Sequence, residues 1–113
     1  MRILKNFEHA FRGLMLAFRE QRNMKIHLVL MLAFLVIGFY LKFSYVDWAF
    51  AAITTGLVMG LEVMNTSIEE LVNFISPEKR KEAKRIKDFA AGAVLVAALA
   101  AFTVGLIILL SKL

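Results

Sequence analysis

The sequence contains no cysteine and a single proline, Pro77. Without cysteine there is no disulfide, thiol nucleophile or thiolate metal site, so any bound metal must use oxygen or histidine ligands. The only histidines, His9 and His27, lie too far apart to form an i, i+4 metal pair on one helix. Neither a Walker-type phosphate loop nor a Gly-x-Gly-x-x-Gly turn occurs, so both common nucleotide cradles are missing. No arrangement of serine, histidine and aspartate suggests a hydrolytic triad. Nor does a basic segment lead into an apolar core with a small-residue cleavage site, so the whole chain is expected to be mature protein.

Long hydrophobic runs are abundant. Hydrophobic residues make up 60% of the 113 positions and mean hydropathy is +0.71, too apolar for an ordinary soluble domain. Ile26 to Phe43 is interrupted by His27 and Lys42, and Trp48 to Met64 by Glu62. Phe89 to Leu110 has no charge and matches the roughly 20 residues needed to cross about 30 Å of hydrocarbon. Ahead of them, Leu4, Phe7, Phe11, Leu14 and Phe18 recur in steps of three and four, one face of an amphipathic helix too charged to span. The expected architecture is an all-α integral membrane protein in one domain. It has a surface helix over about 3–22 and spans over about 26–43, 47–72 and 87–110.

The net charge of +5 is unevenly placed. Arg2, Lys5, Arg12, Arg19, Arg22 and Lys25 crowd the N-terminal segment, and Lys79, Arg80, Lys81, Lys84, Arg85 and Lys87 crowd the second connection. The first connection offers Lys42 and Asp47 alone. By the positive-inside rule the N-terminus and second connection of this multi-pass chain are expected to be cytoplasmic. The basic groups also suit contact with anionic lipid.

The second span carries the unusual chemistry. Glu62, Asn65, Glu69 and Asn73 are spaced by three or four and share one helix face. A carboxylate at the bilayer centre costs roughly 2.5–3.5 kcal/mol on insertion scales, so such residues point to function. With Trp48 in the outer aromatic belt, Glu62 lies about 9 Å inside the inner boundary and Glu69 near the headgroups. Gly56 and Gly60, and the series Ala93, Ala97, Ala101 and Gly105, are expected to let helices pack closely. Ser76-Pro77 reads as the capped start of a helix leading to Lys87 and Asp88.

Carboxylates converging at the inner boundary, with Asn65 beside them and Lys87 opposite, form an oxygen site for a hard cation such as magnesium with substrate phosphates. From residue chemistry alone, phosphoryl transfer and cation transport remain equally open.

Glu62-x-x-Asn65-Thr66-x-Ile68-Glu69, followed by Ala83-Lys84-x-x-Lys87-Asp88-x-Ala90-Ala91-Gly92-Ala93-Val94-Leu95, resembles the prokaryotic diacylglycerol kinase family. Phe7-x-His9-Ala10-x-Arg12-Gly13 and Glu20-x-x-Asn23-x-x-x-His27 are similar to the form found in Gram-positive bacteria, whose members phosphorylate undecaprenol. The resemblance covers nearly the whole chain. It implies a homotrimeric lipid kinase that moves the γ-phosphate of ATP, with Mg2+, to a lipid alcohol at the cytoplasmic face. Undecaprenol is the expected acceptor, and diacylglycerol, giving phosphatidic acid, the alternative. By position, Glu62 resembles the family's catalytic base, with Asn65 orienting the reacting groups, and Glu20 and Glu69 resemble its metal ligands. His9, Glu20, Glu69, Asn73, Glu78, Arg80, Lys87 and Asp88 would face the nucleotide, and Arg12 and Glu62 the lipid. Asn73 stands where the family often has aspartate, and Arg80 where the loop often has histidine. Two readings of other classes are a small cation-coupled membrane transporter and a structural subunit of a larger complex; neither accounts for a stripe that continues to Glu69. No feature suggests nucleic acid binding.

Overall fold

The computed structural model describes residues 1–113 and contains four helices and no strand. They are α1 (Arg2–Glu20), α2 (Arg22–Leu41), α3 (Tyr45–Ile75) and α4 (Lys81–Ser111). The last three are long and apolar enough to cross a membrane. At 1.5 Å per residue, the 31-residue helices α3 and α4 are about 47 Å long against about 30 Å of hydrocarbon. Their ends therefore project beyond it, and the projecting turns at one end carry Glu69, Glu70 and the basic run of α4. Lys81, Lys84, Arg85 and Lys87 make this the basic end of the molecule.

A single residue, Gln21, separates α1 from α2, its extended backbone (φ −98°, ψ 118°) redirecting the chain. Ala17 and Met24 are buried on either side of this corner. The stripe of α1 stays uncovered, with Phe7 70% and Phe11 65% exposed, as an anchor that meets lipid requires.

At the opposite end, Lys42 adopts a left-handed conformation (φ 57°) and closes α2, while the Phe43 amide donates to the Gly38 carbonyl at 2.9 Å. Ser44 then begins α3 with a capping box: its hydroxyl accepts from the Asp47 amide at 3.2 Å, and Asp47 accepts from the Ser44 amide at 3.0 Å. The turn is so tight that Gly38 lies against the Phe43 and Trp48 rings. A Cβ added there would stand 2.8 Å from Phe43 Cδ2 and closer still to Trp48. Gly38→Ala is accordingly expected to destabilise by about 1–3 kcal/mol, the usual range for overpacking, read as a lower melting temperature in detergent. Across this end, Lys112 at the close of α4 reaches Asp47 at 2.6 Å and lies 5.9 Å over the Phe43 ring, tying α4 to the start of α3.

One expectation requires correction. Ser76-Pro77 does not start α4. Ser76 instead closes α3, its amide donating to the Val72 carbonyl at 2.8 Å, and its hydroxyl donates to the Glu78 carbonyl at 3.4 Å. That hydroxyl is not accepting from a helix amide, so α4 begins only at Lys81, capped by Arg80 without a side-chain bond. The small-residue seams are used unequally. On α4, Ala97 is buried, and a Cβ added at Gly105 would stand 3.7 Å from the Phe34 ring. A Cβ at Gly56 or Gly60 would meet nothing within 4 Å, so no helix of the same chain approaches that face of α3.

Two hydroxyls within the apolar spans are satisfied locally. Thr54 donates to the Phe50 carbonyl and Thr103 to the Leu99 carbonyl, both at 2.8 Å, as membrane segments require. Only 10 of 113 residues are buried, so most apolar surface on α2, α3 and α4 is left for lipid or for other copies to cover.

Candidate active site

Glu62, in the middle of α3, is the only buried charged residue, with 4% of its surface exposed. Burying a carboxylate is costly without hydrogen-bond partners. The start of α2 supplies one: Asn23 Nδ2 donates to Glu62 Oε1 at 3.2 Å, while His27 Nε2 lies 3.7 Å from Oε2, beyond hydrogen-bond range. Asn23 and His27 are four residues apart and so face Glu62 together. From the other side, Thr66 donates its hydroxyl proton to the Glu62 backbone carbonyl at 3.1 Å.

One turn toward the basic end the environment changes. Asn65 Nδ2 donates to Glu69 Oε1 at 3.2 Å, and Glu69 is exposed. The remaining Asn65 acceptor, Oδ1, is buried without a partner. Buried polar atoms are nearly always satisfied, so an orphaned amide oxygen beside a carboxylate fits a place for a hard cation or a donor on a ligand. The stripe thus has a buried carboxylate at Glu62 and an exposed one at Glu69.

Further along, Asn73 Oδ1 accepts from Lys87 Nζ at 2.5 Å, linking α3 to α4. Lys87 therefore meets the stripe at Asn73 and not at Glu69. An asparagine here retains an oxygen acceptor for the lysine without adding charge. Asp88 bonds Lys84 at 2.7 Å along α4, and Glu78 accepts from Arg80 at 3.2 Å within the connecting loop.

The remaining predicted residues stand apart. Glu20 ends α1, exposed, and no three acidic or histidine side chains gather as a metal cluster within one chain. His9 is exposed on α1, and Arg12 is paired with Glu8 at 3.3 Å on the same surface.

The sequence reading assigned no role to Asn23 or His27, the residues that contact Glu62. Their i, i+4 spacing, in register with Glu20-x-x-Asn23-x-x-x-His27, was the available signal. His27 also stands at one end of an apolar cleft of about 420 Å³ between α2, α3 and α4, walled by Phe34, Val58, Phe102 and Ile108. A cleft of this size falls in the range of small-molecule sites.

Known proteins match the chain over nearly its full length. The family model described as prokaryotic diacylglycerol kinase matches residues 8–109. The undecaprenol kinase of Bacillus subtilis is 38% identical over 112 residues, an alignment spanning 99% of this chain and 91% of that protein. A diacylglycerol kinase of Synechocystis sp. is 40% identical over 112 residues, spanning 98% of this chain and 64% of the relative. One from Helicobacter pylori (strain J99) is 30% identical over 95 residues, 84% of this chain and 74% of the relative. Full-length similarity, three membrane-crossing helices and a buried glutamate ahead of the Asn65–Glu69 pair converge on one conclusion: the chain is a multi-pass membrane protein that belongs to the prokaryotic diacylglycerol kinase family.

Proposed function

We propose that this protein is an ATP-dependent lipid kinase that transfers the γ-phosphate to undecaprenol at the cytoplasmic face of a bacterial cell membrane. The observation that carries this reading is the division of the α3 stripe. A buried carboxylate at Glu62 lies two turns along α3 from Glu69, which is exposed. A lipid hydroxyl arrives from the membrane side and ATP from the aqueous side, so their reacting atoms meet between these two depths.

Glu62 orients the alcohol and accepts its proton as the hydroxyl oxygen bonds to the γ-phosphorus. The bond from that phosphorus to the β–γ bridging oxygen breaks, and ADP leaves. In a loose transition state most of the catalysis is positioning and charge stabilisation, so orientation by Glu62 counts alongside proton removal. Asn65 aligns the reacting groups. Glu69 and Glu20 are the residues that would hold magnesium, and the unpartnered Asn65 oxygen fits that donor set. When bound, the cation neutralises charge on the transferred phosphoryl group. Lys87 contributes a positive charge toward the phosphates, held by its bond to Asn73. Asn73, Glu78, Arg80 and Asp88 border the nucleotide, with His9 above it and Arg12 near the lipid headgroup level.

The protein acts as a homotrimer with its N-terminus in the cytoplasm. Charge supports the orientation, since the basic residues gather at the end bearing Glu69. The uncovered Gly56–Gly60 face supports assembly, being a surface on which a helix of another copy can approach closely. Assembly is also the means by which Glu20 of one copy reaches Glu69 of another.

Undecaprenol is preferred over diacylglycerol on two grounds. The Bacillus relative named for it matches over almost its whole length, and the cleft leading from His27 is an apolar channel suited to one hydrocarbon chain. Purified protein given both alcohols at equal concentration, with ATP labelled on its γ-phosphate, should label mainly undecaprenol. Equal labelling would overturn the preference.

A further inference from the structure

The two oxygens of Glu62 are not equivalent. Oε1 accepts the Asn23 amide proton at 3.2 Å. Oε2 faces His27 Nε2 at 3.7 Å, beyond hydrogen-bond range, and so has no direct hydrogen bond to that ring. A carboxylate has about four lone-pair sites, so Oε2 keeps acceptor capacity that Oε1 has partly spent. His27, 23% exposed at its side chain, also lines the end of the apolar cleft. The free oxygen of the buried carboxylate therefore lies beside the residue at which an apolar passage begins.

We propose that Asn23 and His27 are positioning residues for the kinase reaction, a clamp on α2 that assigns different tasks to the two oxygens. Asn23 pins Oε1 and fixes the carboxylate plane. His27 stands at the threshold between cleft and carboxylate and directs the hydroxyl of a lipid alcohol, whose chain lies in the cleft, onto Oε2. The proposal rests on the lipid kinase reading of Glu62. Neither residue contacts the stripe at Asn65 or Glu69, so the clamp serves the alcohol and not the nucleotide.

Loss of the pin misplaces the carboxylate, and misplacement of about 1 Å can cost about 10²-fold in rate. Asn23→Ala should therefore lower kcat by about that factor with the KM for ATP unchanged. His27→Leu keeps an apolar threshold but removes the polar group; it should raise the KM for the lipid alcohol and lower kcat, again sparing the KM for ATP. His27→Gln, whose amide nitrogen reaches where Nε2 stands, should restore most of the lost activity.

The test measures kcat and both KM values for purified wild type, Asn23→Ala, His27→Leu and His27→Gln reconstituted in vesicles with undecaprenol. The same substitutions are then made in a Glu62→Gln background. A clamp acting through Glu62 predicts that Asn23→Ala costs little more there. Equal losses in both backgrounds, or a parallel rise in the KM for ATP, would overturn the proposal as a structural effect. So would values within twofold of wild type for Asn23→Ala and His27→Leu while Glu62→Gln is impaired. A wild type inactive on both undecaprenol and diacylglycerol would instead overturn the lipid kinase reading itself. Should Asn23→Ala not fold, Asn23→Ser, shorter but still able to donate, reports the same split.

Discussion

Glu62→Gln is expected to lower kcat for lipid phosphorylation by about 10²–10⁴-fold, the range supplied by a general base. The substitution preserves shape and volume while removing the group that takes the proton. The KM for ATP should hardly change, because Glu62 is bonded to Asn23 and faces His27 on α2, whereas the groups assigned to the nucleotide lie a turn or more away. Fold should survive, since the glutamine amide has a similar size and its oxygen can still accept from Asn23. Circular dichroism and elution as the same oligomer check that point. A loose transition state would place the loss toward the lower end of the range. Near-normal turnover at saturating ATP and lipid would remove Glu62 from the mechanism.

Glu69→Gln should act differently, and the contrast separates the two carboxylates. Glu69 is exposed and tied only to Asn65, so its substitution leaves packing intact. Losing an outer partner of a metal ligand already costs about 10–100-fold in metal affinity, and losing a ligand should cost at least as much. The expected result is a rise of at least about 10-fold in the magnesium concentration giving half-maximal rate, together with reduced kcat. Chelation of magnesium should abolish activity in the wild type. For Glu62→Gln the magnesium dependence should match that of the wild type. A Glu69→Gln enzyme with unchanged magnesium dependence would show that the cation is held elsewhere.

The parts of this molecule that were legible in the sequence are those set by local spacing. The three apolar helices follow from run length, the exposed stripe of α1 from a repeat of three and four, and the shared face of Glu62, Asn65 and Glu69 from helical periodicity alone. The difference in exposure between Glu62 and Glu69 comes from α2 lying against Glu62, which counting residues inward from Trp48 does not reveal. What escaped depends on which helix lies against which. Asn23 and His27 carried the right spacing, but only the tilt of α2 against α3 shows that they meet Glu62. The bond between Asp47 and Lys112 escaped for the same reason, since it joins residues at opposite ends of two long helices. Ser76-Pro77 misled because a serine can close one helix as readily as it caps the next, and here the amide of Ser76 is still engaged with Val72. The Gly56–Gly60 face was recognised as a packing surface, yet its partner is not in the same chain.

The central claim is that the acidic stripe of α3 serves phosphoryl transfer and not ion transport. It is tested most directly with wild-type protein in sealed vesicles containing undecaprenol, given ATP labelled on the γ-phosphate and magnesium, by extracting the lipid. The account predicts a labelled lipid monophosphate formed in step with ADP, in the absence of any ion gradient. No labelled lipid, together with solute flux driven by a proton gradient without ATP, would contradict it.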